Sequence, residues 1–202
     1  MFVQVIQGKV QDASQARAAL DMWMQDLAPG AIGWLGSTAG VTDDGTFIAL
    51  ARFESESAAR RNSERPEQDK WWGEASQAFS GDAVFDDSVA VDDDVVGDPD
   101  TAGFVQIMRG RASDPERARE LMQQDPEAWR AFRPEVLASL SVGHQDGGFT
   151  TAIYFTSEAA AREGEQKEPP EAIKAAMEEM GSLAVGEVTY LDLKDPWLQS
   201  PR

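Results

Sequence analysis

The chain has no cysteine among its 202 residues and a single histidine, His144. Without cysteine there are no disulfides, no thiolate metal sites and no cysteine nucleophile. Nothing here uses an oxidising compartment, which points to the cytoplasm. One histidine falls short of a zinc ligand set and of a Ser-His-Asp triad in each half. Basic side chains are scarce as well: 18 Lys and Arg stand against 36 Asp and Glu, a net charge of −18. So acidic a chain repels phosphate backbones, and no basic stripe with interleaved aromatics is present, so no nucleic-acid partner is expected. The charge is read as solubility. Long apolar runs are missing too, and the first residues enter a strand-like run without a basic region. No membrane span and no signal peptide are therefore expected.

What is present is a repeat. The segment Phe2-Val3-Gln4-Val5-Ile6-Gln7-Gly8-Lys9 returns as Phe104-Val105-Gln106-Ile107-Met108-Arg109-Gly110-Arg111, at a spacing of 102 residues. At that offset Asp12 matches Asp114, Asp44-Gly45 matches Asp146-Gly147, and Ser55-Glu56 matches Ser157-Glu158. The chain is a tandem duplication of units near a hundred residues, a size at which a domain buries most of its apolar surface.

In the first copy, residues 2–10 read as a strand, and Asp12 caps a helix with Gln15 as its capping-box partner. Ala16, Leu20, Trp23 and Leu27 make one apolar face of that helix. Strands over 32–41 and 46–54 flank Asp43-Asp44-Gly45, a strong hairpin signal. Ser55 opens a short helix, Pro66 opens a second that runs to about Phe79, and 84–91 is a fourth strand. In the second copy a helix capped by Asp114 ends near Pro126, and strands cover 136–145 and 149–156. Ser157 caps the next helix, Pro169-Pro170 opens another to about Met180, and a strand spans 184–193. Each order is β-α-β-β-α-β, the ferredoxin-like α+β arrangement. The expected domains are a first repeat over 1–93, an acidic linker over 94–103, a second repeat over 104–193, and a tail over 194–202. Helices cover one sheet face only, so Val3, Val5, Val105 and Ile107 call for a second cover. Packing sheet to sheet would make an intrachain pseudo-dimer, itself a monomer or a weak homodimer. The acidic run from Asp92 lacks the glycine and distal glutamate of a calcium loop and reads as solvated. Trp197 in the tail has no counterpart in the first copy and is expected to dock as an anchor over a pocket mouth.

The element order, the first-strand segment and the stretch Phe53-Glu54-Ser55-Glu56 through Ala58-Ala59-Arg60-Arg61-Asn62-Ser63 to Trp71-Trp72 resemble the dimeric α+β barrel superfamily. The resemblance is to proteins like the antibiotic biosynthesis monooxygenases, in the tandem form found in actinobacteria, and it covers 2–93 and 104–193. It implies a pocket in each half between sheet and helices. Some members oxidise quinol-like aromatics with no metal or flavin, and relatives degrade haem, so no cofactor is expected here. Asn62 and Trp71 stand where related monooxygenases carry a substrate-orienting amide and an indole.

Cofactor-free oxygenation needs a dry aromatic pocket with groups that stabilise a substrate anion, and Asn62 and Trp71 suit it. The second copy keeps neither, with Gly164 matching Asn62 and Ala172 or Ile173 matching Trp71. The alternative is an exposed helix-end asparagine and indoles that serve packing. Trp72 falls on the stripe 72, 75, 79 and is expected to fill core, with Trp71 off it. Gln4 and Gln106 are mid-strand amides that bond backbone or face a pocket. Arg52 and Tyr154 match each other near the end of the third strand of each copy, alternating opposite to Phe53 and Phe155. Either could polarise a ligand oxygen. His144 sits at a hairpin tip, a poor place for a haem ligand. Two functions fit these residues. One is oxygenation of a small aromatic in the first repeat, with Asn62, Trp71 and Arg52 catalytic and Gln4, Gln106, Trp72 and Tyr154 binding ligand. The other is a non-catalytic domain that binds a small ligand or a protein.

Overall fold

The computed structural model describes residues 1–201. It divides into two units: Met1–Val91 joined by the C-terminal residues from Asp195 onward, and Asp92–Lys194. In chain order the first unit runs β1 (Phe2–Lys9), α1 (Ala13–Asp26), β2 (Trp34–Val41), β3 (Thr46–Phe53), α2 (Glu56–Ser63), α3 (Pro66–Ala75) and β4 (Val84–Ser88). Then come β5 (Ala90–Val95), β6 (Phe104–Arg111), α4 (Pro115–Gln123), α5 (Pro126–Phe132), β7 (Val136–Gly143) and β8 (Gly148–Phe155). The chain continues with α6 (Glu158–Glu165), α7 (Glu171–Leu183), β9 (Thr189–Leu193) and β10 (Trp197–Gln199). Two five-stranded sheets result, ordered β10-β2-β3-β1-β4 and β5-β7-β8-β6-β9. The fold is α+β and is written twice.

Local chemistry places the elements. Asp12 accepts from the Ser14 and Gln15 N–H groups at 2.8 and 3.4 Å, satisfying donors that the first turn of α1 leaves over. Ser55 and Ser157 do the same for α2 and α6, each accepting a backbone N–H at 3.2 Å. Gly45 turns the β2–β3 hairpin at φ 79°, a conformation that costs a glycine little. Asp44 braces that turn through Lys9 at 2.7 Å and Thr46 at 2.8 Å.

Alternation then sorts the side chains of each sheet. In the first, Phe2, Trp34 and Phe53 join Trp23, Leu27 and Ala59 in a core on the helix side. Val3, Val5, Ile48 and Leu50 point the other way and are also buried. Both faces of the central strands β1 and β3 are buried, and each such apolar side chain contributes about 1.5–3 kcal/mol by its burial.

Three segments depart from the expectations. The acidic run read as a solvated linker contains β5, the edge strand on β7, and its charges are paired. Asp92 meets Arg119 and Asp94 meets Arg130, each at 2.6 Å. Alternation puts these two aspartates on one face, so charge here masks a strand. Pro126 does more than end a helix: Asp125, in the left-handed region at φ 52°, accepts from Ala128 N–H and opens α5. The tail is a strand as well. Trp197 pairs with Ala39 and is buried against Phe47, with the Arg17 guanidinium 5.3 Å from its ring centre.

Candidate functional site

A cavity of about 100 Å³ lies in the first unit between the sheet and α1, α2 and α3. Its floor follows from the strand register. Gln199, Ser37, Ala51, Gln4 and Asp87 form one row across all five strands, and Trp197, Ala39, Ala49, Ile6 and Phe85 form the next. Alanine is a poor strand former. Three of them on neighbouring strands, Ala39, Ala49 and Ala51, leave the room that the cavity occupies. Trp23, Trp34, Trp71, Trp72 and Phe79 build the walls.

Six polar side chains line the cavity, and none of them titrates: Gln4, Ser37, Asn62, Ser63, Gln68 and Gln199. Asn62 is 3% exposed, so it is not the solvated helix-end residue that its position allowed. Its Oδ1 accepts from the Ile32 N–H at 3.2 Å and from Arg65 Nη1 at 3.0 Å. Both partners can only donate, which fixes the amide orientation and leaves Nδ2 as a donor without a protein partner among the described residues. Gln68 is fixed the same way, its Oε1 accepting from the Trp23 indole at 2.8 Å. Ser37 accepts from the Trp34 indole at 2.9 Å.

Trp71 lines the cavity, but its indole N–H is committed to the Ala19 carbonyl at 2.8 Å. It therefore tethers α3 to α1 and offers the cavity its ring, not its N–H. Trp72 is half-buried, as Trp71 is, and meets Phe85 edge-on at 5.3 Å and Phe79 at a tilt at 6.1 Å. The expected split between a core indole and a site indole is not found. Gln4 lies on the cavity floor, with Nε2 3.5 Å from Asp87 Oδ2. Burial raises the Asp87 carboxyl above its usual value, the Gln4 hydrogen bond partly offsets this, and the nearby charges of Asp86 and Glu56 add to the rise.

Arg52 does not join this set. In register with Val3, it takes the sheet face away from the cavity, with its guanidinium against Gly36. Alternation makes that placement unavoidable once Phe53 faces the helices. Tyr154 takes the corresponding face of the second sheet beside Val105 and is buried. His144 follows β7, its Nε2 2.9 Å from the Thr150 hydroxyl. No three of His, Asp and Glu converge on a metal-sized point among the described residues. No helix among them is long and apolar enough to cross a membrane.

The second unit shows how the same backbone loses the cavity wall. Gly164 stands for Asn62, and a Cβ there would come within 1.9 Å of Glu135 Oε1 and 2.6 Å of Arg133 Nε. Arg133 and Glu135 fill the place as an ion pair at 2.5 Å. Pro134 stands for Ile32, so the N–H that Asn62 accepts has gone along with the acceptor. On the floor, Ser141, Thr151 and Ile153 replace the three alanines. Gln106 remains and donates to Asp192 at 3.0 Å, and Arg162 grips the same carboxylate. A larger open depression of about 510 Å³, lined by Ala128, Phe132, Lys167 and Pro170, has no comparable polar array.

Neither a family model nor a curated protein matches the sequence. Solved structures do match the fold. A candidate monooxygenase from Lactobacillus acidophilus superposes with a TM-score of 0.73 at 13% identity, over 98% of this chain and 98% of that one. A candidate monooxygenase from Fusobacterium nucleatum gives 0.74 at 10% identity, over 98% and 94%. The fold is the monooxygenase-like ferredoxin fold, two repeats in one chain. An anthrone oxidase-like protein shares this monooxygenase-like architecture with a TM-score of 0.67 at 10% identity, over 100% and 91%. At such identities the likeness is one of fold.

Proposed function

We propose that the first-unit cavity binds a small aromatic quinol or phenol and that the protein oxygenates it with dioxygen and no cofactor. The observation that carries this reading is Asn62, buried in an aromatic wall with its carbonyl committed and its Nδ2 donor left over. A donor so held stabilises negative charge as it develops on a substrate oxygen, with no reorganisation needed. The substrate anion passes one electron to dioxygen, and the radical pair joins as a hydroperoxide. In a phenol whose keto tautomer carries a CH2, as in anthrone, loss of water then leaves a carbonyl, so that CH2 and O2 become C=O and H2O. No titratable side chain lines the cavity, so the proton leaves to solvent, and the pH dependence of the rate follows the acidity of the substrate.

At about 100 Å³ the cavity is smaller than one known to take benzene, about 150 Å³, so a substrate displaces part of the wall. Gln199 ends a three-residue strand at the sheet edge that pairs with β2 alone, which makes it the part of the wall proposed to yield. The small volume and the missing base also favour a second reading, ligand binding without turnover. Oxygen uptake with anthrone, scored against the Asn62→Asp variant, separates the two. Oxygenation predicts stoichiometric oxygen loss and anthraquinone from the wild type, with a rate lower by about a hundredfold in the variant. Binding without oxygen uptake across quinol and phenol probes leaves the second reading standing and removes the first.

A further inference from the structure

Five of the six polar side chains of the cavity have an atom committed to a protein partner, and for Asn62, Gln68, Ser37 and Gln4 that commitment dictates what they offer a ligand. Asn62 and Gln68 have their carbonyl oxygens engaged by N–H groups, so both present amide N–H2 donors. Ser37 accepts an indole N–H, so its hydroxyl hydrogen is left to donate. Gln4 runs the other way. Its Nε2 faces Asp87 Oδ2, and a carboxylate only accepts, so Oε1 is the end left over. The second unit repeats this orientation, Gln106 Nε2 donating to Asp192 Oδ1 at 3.0 Å. There Arg162 also holds the aspartate, whereas its counterpart Arg60 pairs with Glu56 at 3.3 Å. In the first unit Asp87 accepts from Gln4, and no arginine grips it among the described residues.

We infer that the cavity is specific for an aromatic ring carrying both a hydroxyl, which donates to Gln4 Oε1, and a conjugated carbonyl, which accepts from Asn62 and Gln68. Asp87 is the positioning residue that holds Gln4 in the accepting sense. The inference rests on the first-unit cavity being an aromatic-ligand site, and it names the ligand class. A quinone without a hydroxyl leaves the Gln4 acceptor unpaired, and a simple phenol leaves the amide donors unpaired. Each of those losses leaves a polar atom of the cavity without a partner in the bound state, which weakens binding. An aromatic amine cation meets no carboxylate among the lining residues.

The test is equilibrium binding under argon, read by the fluorescence of the cavity tryptophans. The probes are meta- and para-hydroxyacetophenone, each paired with its fluoro analogue, which is close in size and lacks the donor. The expected result is a preference for at least one hydroxy isomer over its fluoro partner of about tenfold. Gln4→Met should bring that ratio close to one. Asp87→Asn, whose amide can face Gln4 either way, should lower the ratio, and Asp87→Glu should restore part of it. Circular dichroism confirms that each variant is folded. Equal binding of the hydroxy and fluoro probes overturns the inference, as does a ratio unchanged by Gln4→Met or no binding at millimolar probe. Hydroxyl preference without oxygen uptake in air sinks the oxygenase reading and leaves this one. Oxygen uptake without hydroxyl preference does the reverse.

Discussion

Replacing Asn62 with aspartate keeps the side-chain shape and the oxygen that serves Ile32 and Arg65, while turning the leftover Nδ2 donor into an acceptor. Replacing it with alanine removes both functions, so the pair separates holding the fold from holding a ligand. In Asn62→Ala the Ile32 N–H and the largely buried Arg65 guanidinium lose their shared acceptor. A neutral bond and a charge-assisted one, with a buried donor left unpaired, amount to about 3 kcal/mol. For a chain of this size that lowers Tm by about 6–12 °C. In Asn62→Asp both bonds survive and Arg65 gains a counter-charge, which offsets the cost of burying a carboxylate. Stability should stay within about 1 kcal/mol of wild type. Function divides the other way: an oxygen beside the developing oxyanion should slow turnover by about a hundredfold. Calorimetry measures the first effect and an oxygen electrode with anthrone the second. The reasoning fails if the alanine variant melts within about 2 °C of wild type, or if the aspartate variant turns over at the wild-type rate.

In the second unit, Gly164→Ala drives a methyl into Glu135 and Arg133 and should cost about 1–3 kcal/mol, read as a lower denaturant midpoint. Ending the chain after Leu198 removes Gln199 but keeps Trp197. Stopped-flow tryptophan quenching should show faster ligand association with little loss of Tm, and an unchanged rate would mean that β10 is not the wall that yields. Asp44 lies well below the ordinary carboxylate range, held there first by Lys9 and then by the Thr42 and Thr46 hydroxyls. Its folded value is depressed, so its contribution is complete above about pH 4 and falls away as the pH drops through and below the ordinary carboxylate value. The Lys9 pair is exposed, so Asp44→Asn should cost less than about 1 kcal/mol at neutral pH. Urea melts from pH 7 down to pH 3 should show the gap between variant and wild type closing.

Much of the fold was legible because its signals are local. Asp12, Ser55 and Ser157 cap helices from positions that sequence alone marks, and the offset of 102 residues carries the second copy along with the first. The misses share a cause. In β5 the charges of Asp92 and Asp94 looked like solvation because their partners, Arg119 and Arg130, lie 27 and 36 residues away. Trp71 looked available because Ala19, which takes its N–H, lies 52 residues back along the chain. Local periodicity reports the face of a side chain; it says nothing of which atom a distant neighbour has already engaged. Arg52 was the exception, since its alternation against Phe53 was already enough to point it away from the cavity.

The duplication itself supplies the control that separates site from scaffold. Both copies keep the backbone, the caps, the hairpins and the Gln–Asp couple, so these belong to the fold. The first copy alone has the three floor alanines, and the alternating Ala49-Leu50-Ala51, weak as a strand sequence, was the overlooked sign of a cavity. The Ile32 N–H and its Asn62 acceptor are absent together in the second copy, replaced by Pro134 and Gly164. A donor and acceptor that are absent together form one structural unit, and in the first copy that unit orients the Asn62 amide. Restoring it in the second copy requires Gly164→Asn, Pro134→Ile and removal of the Arg133–Glu135 pair at once, because the pair occupies the space the asparagine needs. Gly164→Asn alone should only destabilise, so any binding function tied to a fixed amide resides in the first copy.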